Sequence, residues 1–178
     1  GIEYAFVRDR LREQGVDFIL VEAGVLGNPL AVPDITREEV ARAADVDLAD
    51  LVAARDRGQA VEAMAHGLGV VVRRLHEQGK LDAILGLGGS GGTSLITAAM
   101  RELPIGMPKL IVSTVAAGDT RPYVGTVDLT MMHSVGDIAG INPISERILT
   151  NAAVAAAAMA KAGAAFQPSA QAKPMIGA

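Results

Sequence analysis

One run of glycines and hydroxyls in this 178-residue chain has residue types and spacing that could do chemistry. In LDAILGLGGSGGTSLITAAM, residues 81–100, a short apolar stretch opens into Gly86, Gly88, Gly89, Gly91 and Gly92, interleaved with Ser90 and followed by Thr93 and Ser94. Glycine carries no Cβ, so the backbone can turn sharply, approach a ligand closely and leave successive N–H groups pointing at an anion. A helix beginning there adds the unpaired N–H groups of its first turn and the positive end of its dipole. The chemistry is phosphate binding.

Two phosphate-binding templates can be laid on the run, and each fits in part. Gly86, Gly88 and Gly91 satisfy G-x-G-x-x-G, but a dinucleotide site also wants an acidic residue about 20 positions further on to hold the ribose. Ser113 and Thr114 stand there instead. Gly86 and Gly91 match the outer spacing of G-x-x-x-x-G-K-[ST], with Gly92 in the lysine position before Thr93. The competing reading is a glycine-rich strand-to-helix turn that only permits close packing.

The absent lysine calls for another cation. The segment STVAAGDTRPYVG, from Ser113, offers Arg121, whose planar fork can hold two phosphate oxygens at once. Ser113, Thr114, Asp119 and Thr120 accompany it after the carboxyl end of a predicted strand, where ligands lie in open parallel sheets. A surface ion pair between Arg121 and Asp119 or Asp128 is the alternative. Asp119 and Asp128 are also candidate magnesium ligands, because that ion keeps several waters and needs few carboxylates. Asp137 is a third acidic candidate, with a loop hydrogen bond as its plainer role. Glu22 and Asn28, with Gly24 and Gly27, could reach ribose or base from an earlier loop or simply form a turn. His66 and His76 are too far apart on one predicted helix to share a metal, and His133 reads as structural. No Ser-His-Asp order or carboxylate pair supplies a nucleophile or general base.

The elements that must position these residues follow from periodicity. Residues 2–14 read as an amphipathic helix ending at Gly15, and residues 18–21 as a short apolar strand. Thr36 and Glu39 form a capping box, with further helices over residues 48–54 and 59–77, the last weakened at Gly67 and Gly69. Strands over 83–87, 109–112 and 129–132, with a helix from the glycine run to about Glu102, imply a parallel sheet with a right-handed crossover. Asn142 and Pro143 start a long alanine-rich helix reaching about Ala162. The fold class is α/β, a Rossmann-like three-layer domain over residues 1–163, and residues 164–178 read as a linker and the start of a second half-domain. Both ends therefore read as incomplete, as in a fragment or a numbering that begins after an unlisted segment.

Composition narrows the function classes. Half the residues are hydrophobic, which excludes a disordered chain. A net charge of −4 with scattered Lys and Arg gives no basic stripe and argues against direct nucleic-acid binding. No apolar run is expected to reach membrane-spanning length and no signal peptide is evident, so no membrane partner is expected. Absence of cysteine removes thiolate chemistry, and cytoplasm is the default compartment.

LGLGGSGGTSLITAAM and PKLIVSTVAAGDTRPYVGTVDLTMMHSVGDIAGIN together resemble the N-terminal ATP-binding domain of the family that includes the tomato mosaic virus resistance protein and many uncharacterised bacterial homologues. The resemblance runs from about Glu3 to about Ile176. It implies two Rossmann-like halves, ATP with Mg2+ as ligand, dimerisation in some members and a further TIM-barrel domain in several. It also implies, for the plant member, inhibition of viral RNA replication, a role that is not carried to this chain. In that family a strand and a G-T-x-D-T-K-G loop precede the segment matching Glu3, and neither stands in these 178 residues. The reading that results is an ATP- and magnesium-binding domain of a larger, homo-oligomeric protein, with phosphate at residues 86–93. The alternatives are an NAD- or sugar-phosphate-dependent enzyme domain and a protein-interaction module whose nucleotide is structural.

Overall fold

Three five-residue segments rich in Leu, Ile, Val and Met line up side by side, all parallel, in the order β1 (Ile84–Gly88), β2 (Lys109–Ser113), β3 (Leu129–His133). Gly88 pairs with Ser113 and Ser113 with His133, so all three carboxyl ends lie on one edge. Every residue of the central β2 is buried, as a strand covered on both faces requires. The computed structural model describes residues 1–25 and 31–167, and within them the protein is a Rossmann-like three-layer α/β fold.

Seven helices form the outer layers among the described residues: α1 (Ile2–Glu13), α2 (Arg37–Ala43), α3 (Leu48–Ala54), α4 (Arg57–Glu77), α5 (Ser90–Met100), α6 (Arg121–Val124) and α7 (Pro143–Ala165). A 3-10 turn over Thr114–Ala117 follows β2. On one face Met64, Leu68, Val71 and Leu75 of α4 pack with Val40 of α2 and with Leu95 and Ala99 of α5. On the other, Val7 of α1 and Leu149, Ala152, Ala153 and Ala156 of α7 cover Leu87, Leu110 and Val112.

The starts are set by local chemistry. Thr36 and Glu39 close the expected capping box on α2, and Asn142 accepts from the Ile144 and Ser145 N–H groups with Pro143 at the first position of α7. Gly67 has a packing reason inside α4: a Cβ there would fall 2.0 Å from the Val40 carbonyl oxygen, so only glycine lets α2 cross so closely.

Two expectations are corrected. Residues 18–21 form no strand, because a strand needs a ladder partner, and here only Val21 bridges Ile35 while the Leu20 carbonyl accepts from Asp34 and Ile35 N–H groups. The outer edge of β1 is met instead by Tyr4 of α1, whose hydroxyl donates to the Leu87 carbonyl at 2.9 Å and accepts from the Leu87 N–H at 3.1 Å. Burial pushes this phenol up to about 12. The second correction concerns α7, which by length and composition is long and apolar enough to cross a membrane. Its alanines conceal this in a scan for bulky apolar runs, and in the fold one face of the helix lies on the sheet. Gly27, Asn28 and the strand start expected near residue 174 lie outside the described residues.

Candidate functional site

The glycine run is tighter than a wide phosphate loop. Gly86 and Gly88 belong to β1, Gly89 is the N-cap of α5, and Ser90, Gly91 and Gly92 are already its first turn. The glycines divide by role. A Cβ on Gly86 would strike Ile96 Cγ2 at 2.6 Å, and one on Gly88 would strike the Thr93 nitrogen at 2.6 Å, so these two let helix and strand close on each other. Gly89, Gly91 and Gly92 face more open space; only the tip of a flexible side chain comes within 3 Å of a Cβ on any of them. No side chain caps α5, so its first-turn N–H groups are offered outward from the carboxyl edge of the sheet.

The hydroxyls sort in the same way. Thr93 and Ser113 are fully buried and spent on each other, 2.6 Å apart, while Thr93 donates to the Gly88 carbonyl and Ser113 accepts from the Val115 N–H. They hold the turn to β2 and do not face solvent. Ser94 donates back to the Ser90 carbonyl. Thr114 is the hydroxyl at the mouth, its Oγ1 lying 3.9 Å from where a Gly89 side chain would begin. The two sequence motifs do meet, through Gly89 and Thr114.

The cation beside the turn is Arg57, which sequence reasoning missed. Its Nη2 lies 2.9 Å from the Cβ position of Gly91, and it joins none of the ion pairs among the described residues. It gets there because α4 packs along α5, with Gly69 against Ala99 and Glu102, which sets both helix starts at the same edge. The only signal in the sequence is the Asp56-Arg57-Gly58 helix start, with Asp56 capping Gln59.

Arg121 is used elsewhere. Its guanidinium grips Asp119 through Nε at 2.8 Å and Nη2 at 2.7 Å, and its side chain is 88 % exposed. That hydrogen-bonded pair holds the Asp119 carboxyl below the usual range and raises the Arg121 guanidinium. The neighbouring Pro122 and Tyr123 carbonyls accept from Arg101, at the end of α5 remote from Ser90. Thr120 is the N-cap of α6 and makes no side-chain cap bond.

The acidic candidates are not gathered at the turn. Asp128 precedes β3 at the opposite edge of the sheet, a strand length of roughly 13 Å away. It accepts from Gly106 N–H at 2.7 Å and from the fully buried Lys109 at 2.9 Å, whose ammonium also donates to the Pro104 and Met107 carbonyls. Asp128 is thereby withdrawn as a magnesium ligand for that turn. Asp137 accepts from the Ile138 N–H within its loop, and Glu22 pairs with Arg37. Among the described residues no three His, Asp or Glu side chains stand together as a metal cage. A groove of about 580 Å³ between α4 and α5 is lined by Glu62, His66, Arg73, Ser94 and Glu102, with Arg73 and Glu102 paired at 3.0 Å.

An open parallel sheet with a glycine turn at its carboxyl edge, opening a helix, defines the class of Rossmann-like α/β domains. Over residues 1–165 the chain matches the family described as "Uncharacterised protein family (UPF0261) N-terminal domain", and it belongs to that family. It is similar to a UPF0261 protein of Clostridium tetani, 45% identical over 178 residues, which are all of this chain and 44% of that protein. It is 41% identical to a UPF0261 protein of Rhizobium meliloti, over 99% of this chain and 43% of that one. The ToMV resistance protein Tm-1(GCR237) of Solanum lycopersicum is 48% identical over 103 residues, 58% of this chain and 14% of the plant protein. The ToMV susceptible protein of the same plant matches over the same length at 50%. The chain thus spans less than half of the bacterial relatives.

Proposed function

We propose that this domain binds the phosphates of a nucleotide, ATP with magnesium, at the Gly89–Gly92 turn. The observation that carries the reading is the turn itself: backbone N–H groups of Ser90, Gly91 and Gly92 open outward without side chains in the way, flanked by Arg57 and Thr114. The fit to triphosphate is good on its own chemistry. Oriented N–H groups and the α5 dipole favour negative charge, and a guanidinium supplies the cation that the lysine-free glycine run lacks. Magnesium would sit on the phosphates with water completing its shell and at most one carboxylate, the candidate being Asp119, which is half exposed and paired with Arg121. The protein's own part is binding and orientation; among the described residues no side chain near the turn is arranged as a general base.

Titration calorimetry of the full-length protein with ATP, NAD and a sugar phosphate, each with and without magnesium, tests this. ATP should bind with magnesium, and adenosine, which lacks the phosphates, far more weakly. Preference for NAD or for the sugar phosphate would replace ATP in the account, and absence of heat with all of them would remove the turn's assigned role. ATP that raises the melting temperature with no release of phosphate would favour the interaction-module reading.

A further inference from the structure

The groove between α4 and α5 opens directly from the glycine turn. Its near end is formed by Gly58, next to Arg57, and by Ser94, one helical turn after Gly91; its far end is closed by the Arg73–Glu102 ion pair at 3.0 Å. Small residues make its floor, Ala65 and Gly69 on α4 and Ala98 on α5, which is why two packed helices leave space between them. Its volume of about 580 Å³ is that of a small-molecule site, for which roughly 300–1,000 Å³ is usual. Two polar side chains that line it are not used by the fold. Glu62 and His66 are exposed and join none of the ion pairs among the described residues. At a rise of ~1.5 Å per residue, Glu62 lies roughly 7.5 Å and His66 roughly 13.5 Å along α4 from Arg57, the cation beside the turn.

Resting on the phosphate reading above, we infer that this groove holds the nucleoside of the bound nucleotide, with Glu62 accepting from the ribose hydroxyls and the His66 ring stacked on the base. Cation, carboxylate and flat ring follow one another along α4 in the order of phosphate, ribose and base. An ionised carboxylate has acceptor oxygens and no donor, so it pairs with a diol and not with a phosphate. Glu62 thereby supplies from α4 the acid that the G-x-G-x-x-G template seeks after the next strand, where Ser113 and Thr114 stand. The face of an imidazole stacks on any base, and Ala65 and Ala98 give the base an apolar bed. The opposite orientation, with phosphates running down the groove, is disfavoured because Glu62 and Glu102 would repel them. The triphosphate therefore stays at the turn and the nucleoside points inward along the helices.

Calorimetry on the full-length protein with magnesium and three probes tests this: inorganic tripolyphosphate, ATP, and ATP lacking both ribose hydroxyls. Tripolyphosphate reports the turn alone, and the excess affinity of ATP over it reports the groove. ATP should bind about 100-fold tighter than tripolyphosphate and about tenfold tighter than the dideoxy nucleotide. Glu62→Ala should bring ATP down to the level of the dideoxy nucleotide, His66→Ala should weaken both nucleotides about tenfold, and neither change should alter tripolyphosphate. Both side chains are exposed, so both variants should keep the melting temperature of the unliganded wild type. ATP held by both variants as tightly as by the wild type overturns the inference and leaves the phosphate reading standing. Loss of tripolyphosphate in either variant assigns that residue to the shape of the turn and also overturns it. Failure of the wild type to bind tripolyphosphate and ATP alike removes the phosphate reading, and the inference with it.

Discussion

The hydroxyls of Thr93 and Ser113 lie 2.6 Å apart in a fully buried position between α5 and the end of β2. Because Thr93 spends its proton on the Gly88 carbonyl, the shared proton comes from Ser113, and the chain runs from Val115 N–H through both hydroxyls to Gly88. This relay fixes the distance between the two segments that form the mouth of the candidate site.

Thr93→Val keeps the shape and removes the relay, leaving the Gly88 carbonyl without the Thr93 donor and the Ser113 hydroxyl proton without an acceptor in the interior. Stability should fall by about 1–3 kcal/mol, measured as a lower urea midpoint with an unchanged slope. Thr93→Ser should recover most of it. If Thr93→Val keeps full stability and loses nucleotide binding instead, Thr93 is a ligand group and its structural assignment here is wrong.

The two kinds of glycine should respond differently. Gly88→Ala drives a Cβ into backbone atoms of Gly92 and Thr93 and should cost about 2–3 kcal/mol of stability. Gly91→Val meets only the mobile end of Arg57, so the variant should stay folded by circular dichroism while losing ATP. A folded Gly91→Val with wild-type affinity would separate the turn from the site.

Arg57→Ala should weaken ATP by about 10- to 100-fold, the worth of one charge-assisted hydrogen bond, and leave adenosine unchanged. Arg121→Ala should have the smaller effect, since its guanidinium is held by Asp119. Calorimetry on both variants ranks them, and the reverse order would return the phosphate role to Arg121.

Stability should fall at both ends of the pH scale. Burial pushes the Asp128 carboxyl up, but its bonds from Lys109 and Gly106 outweigh that and hold it below the ordinary range. Its contribution is therefore complete above about pH 4 and is lost as pH falls through the depressed folded value. Asp128→Asn should flatten that acid limb. Tyr4 has the opposite sign: its folded value, raised to about 12, gives stability that is complete below about pH 10 and is lost between there and pH 12. Tyr4→Phe should remove the alkaline loss, and a variant that retains it would place the titration elsewhere.

What the sequence made legible was whatever local chemistry decides. The capping box at Thr36 and Glu39, the Asn142-Pro143 start and the glycine run between strand and helix all lie within a few residues of their partners. Residues 18–21 misled because apolar content describes a strand's faces and not its neighbours. Arg57 was hidden because its approach to Gly91 spans 34 residues and depends on how closely α4 can lie against α5. Lys109 reads as a polar strand start, yet it is wholly buried, its ammonium satisfied by two carbonyls and Asp128.

Backbone amide resonances report the central claim most directly, since the proposed contacts are N–H groups. Titrating isotopically labelled protein with ATP and magnesium should shift Ser90, Gly91 and Gly92 most strongly, with adenosine leaving all three in place. ATP binding that moves amides elsewhere and leaves those three unshifted would contradict the account.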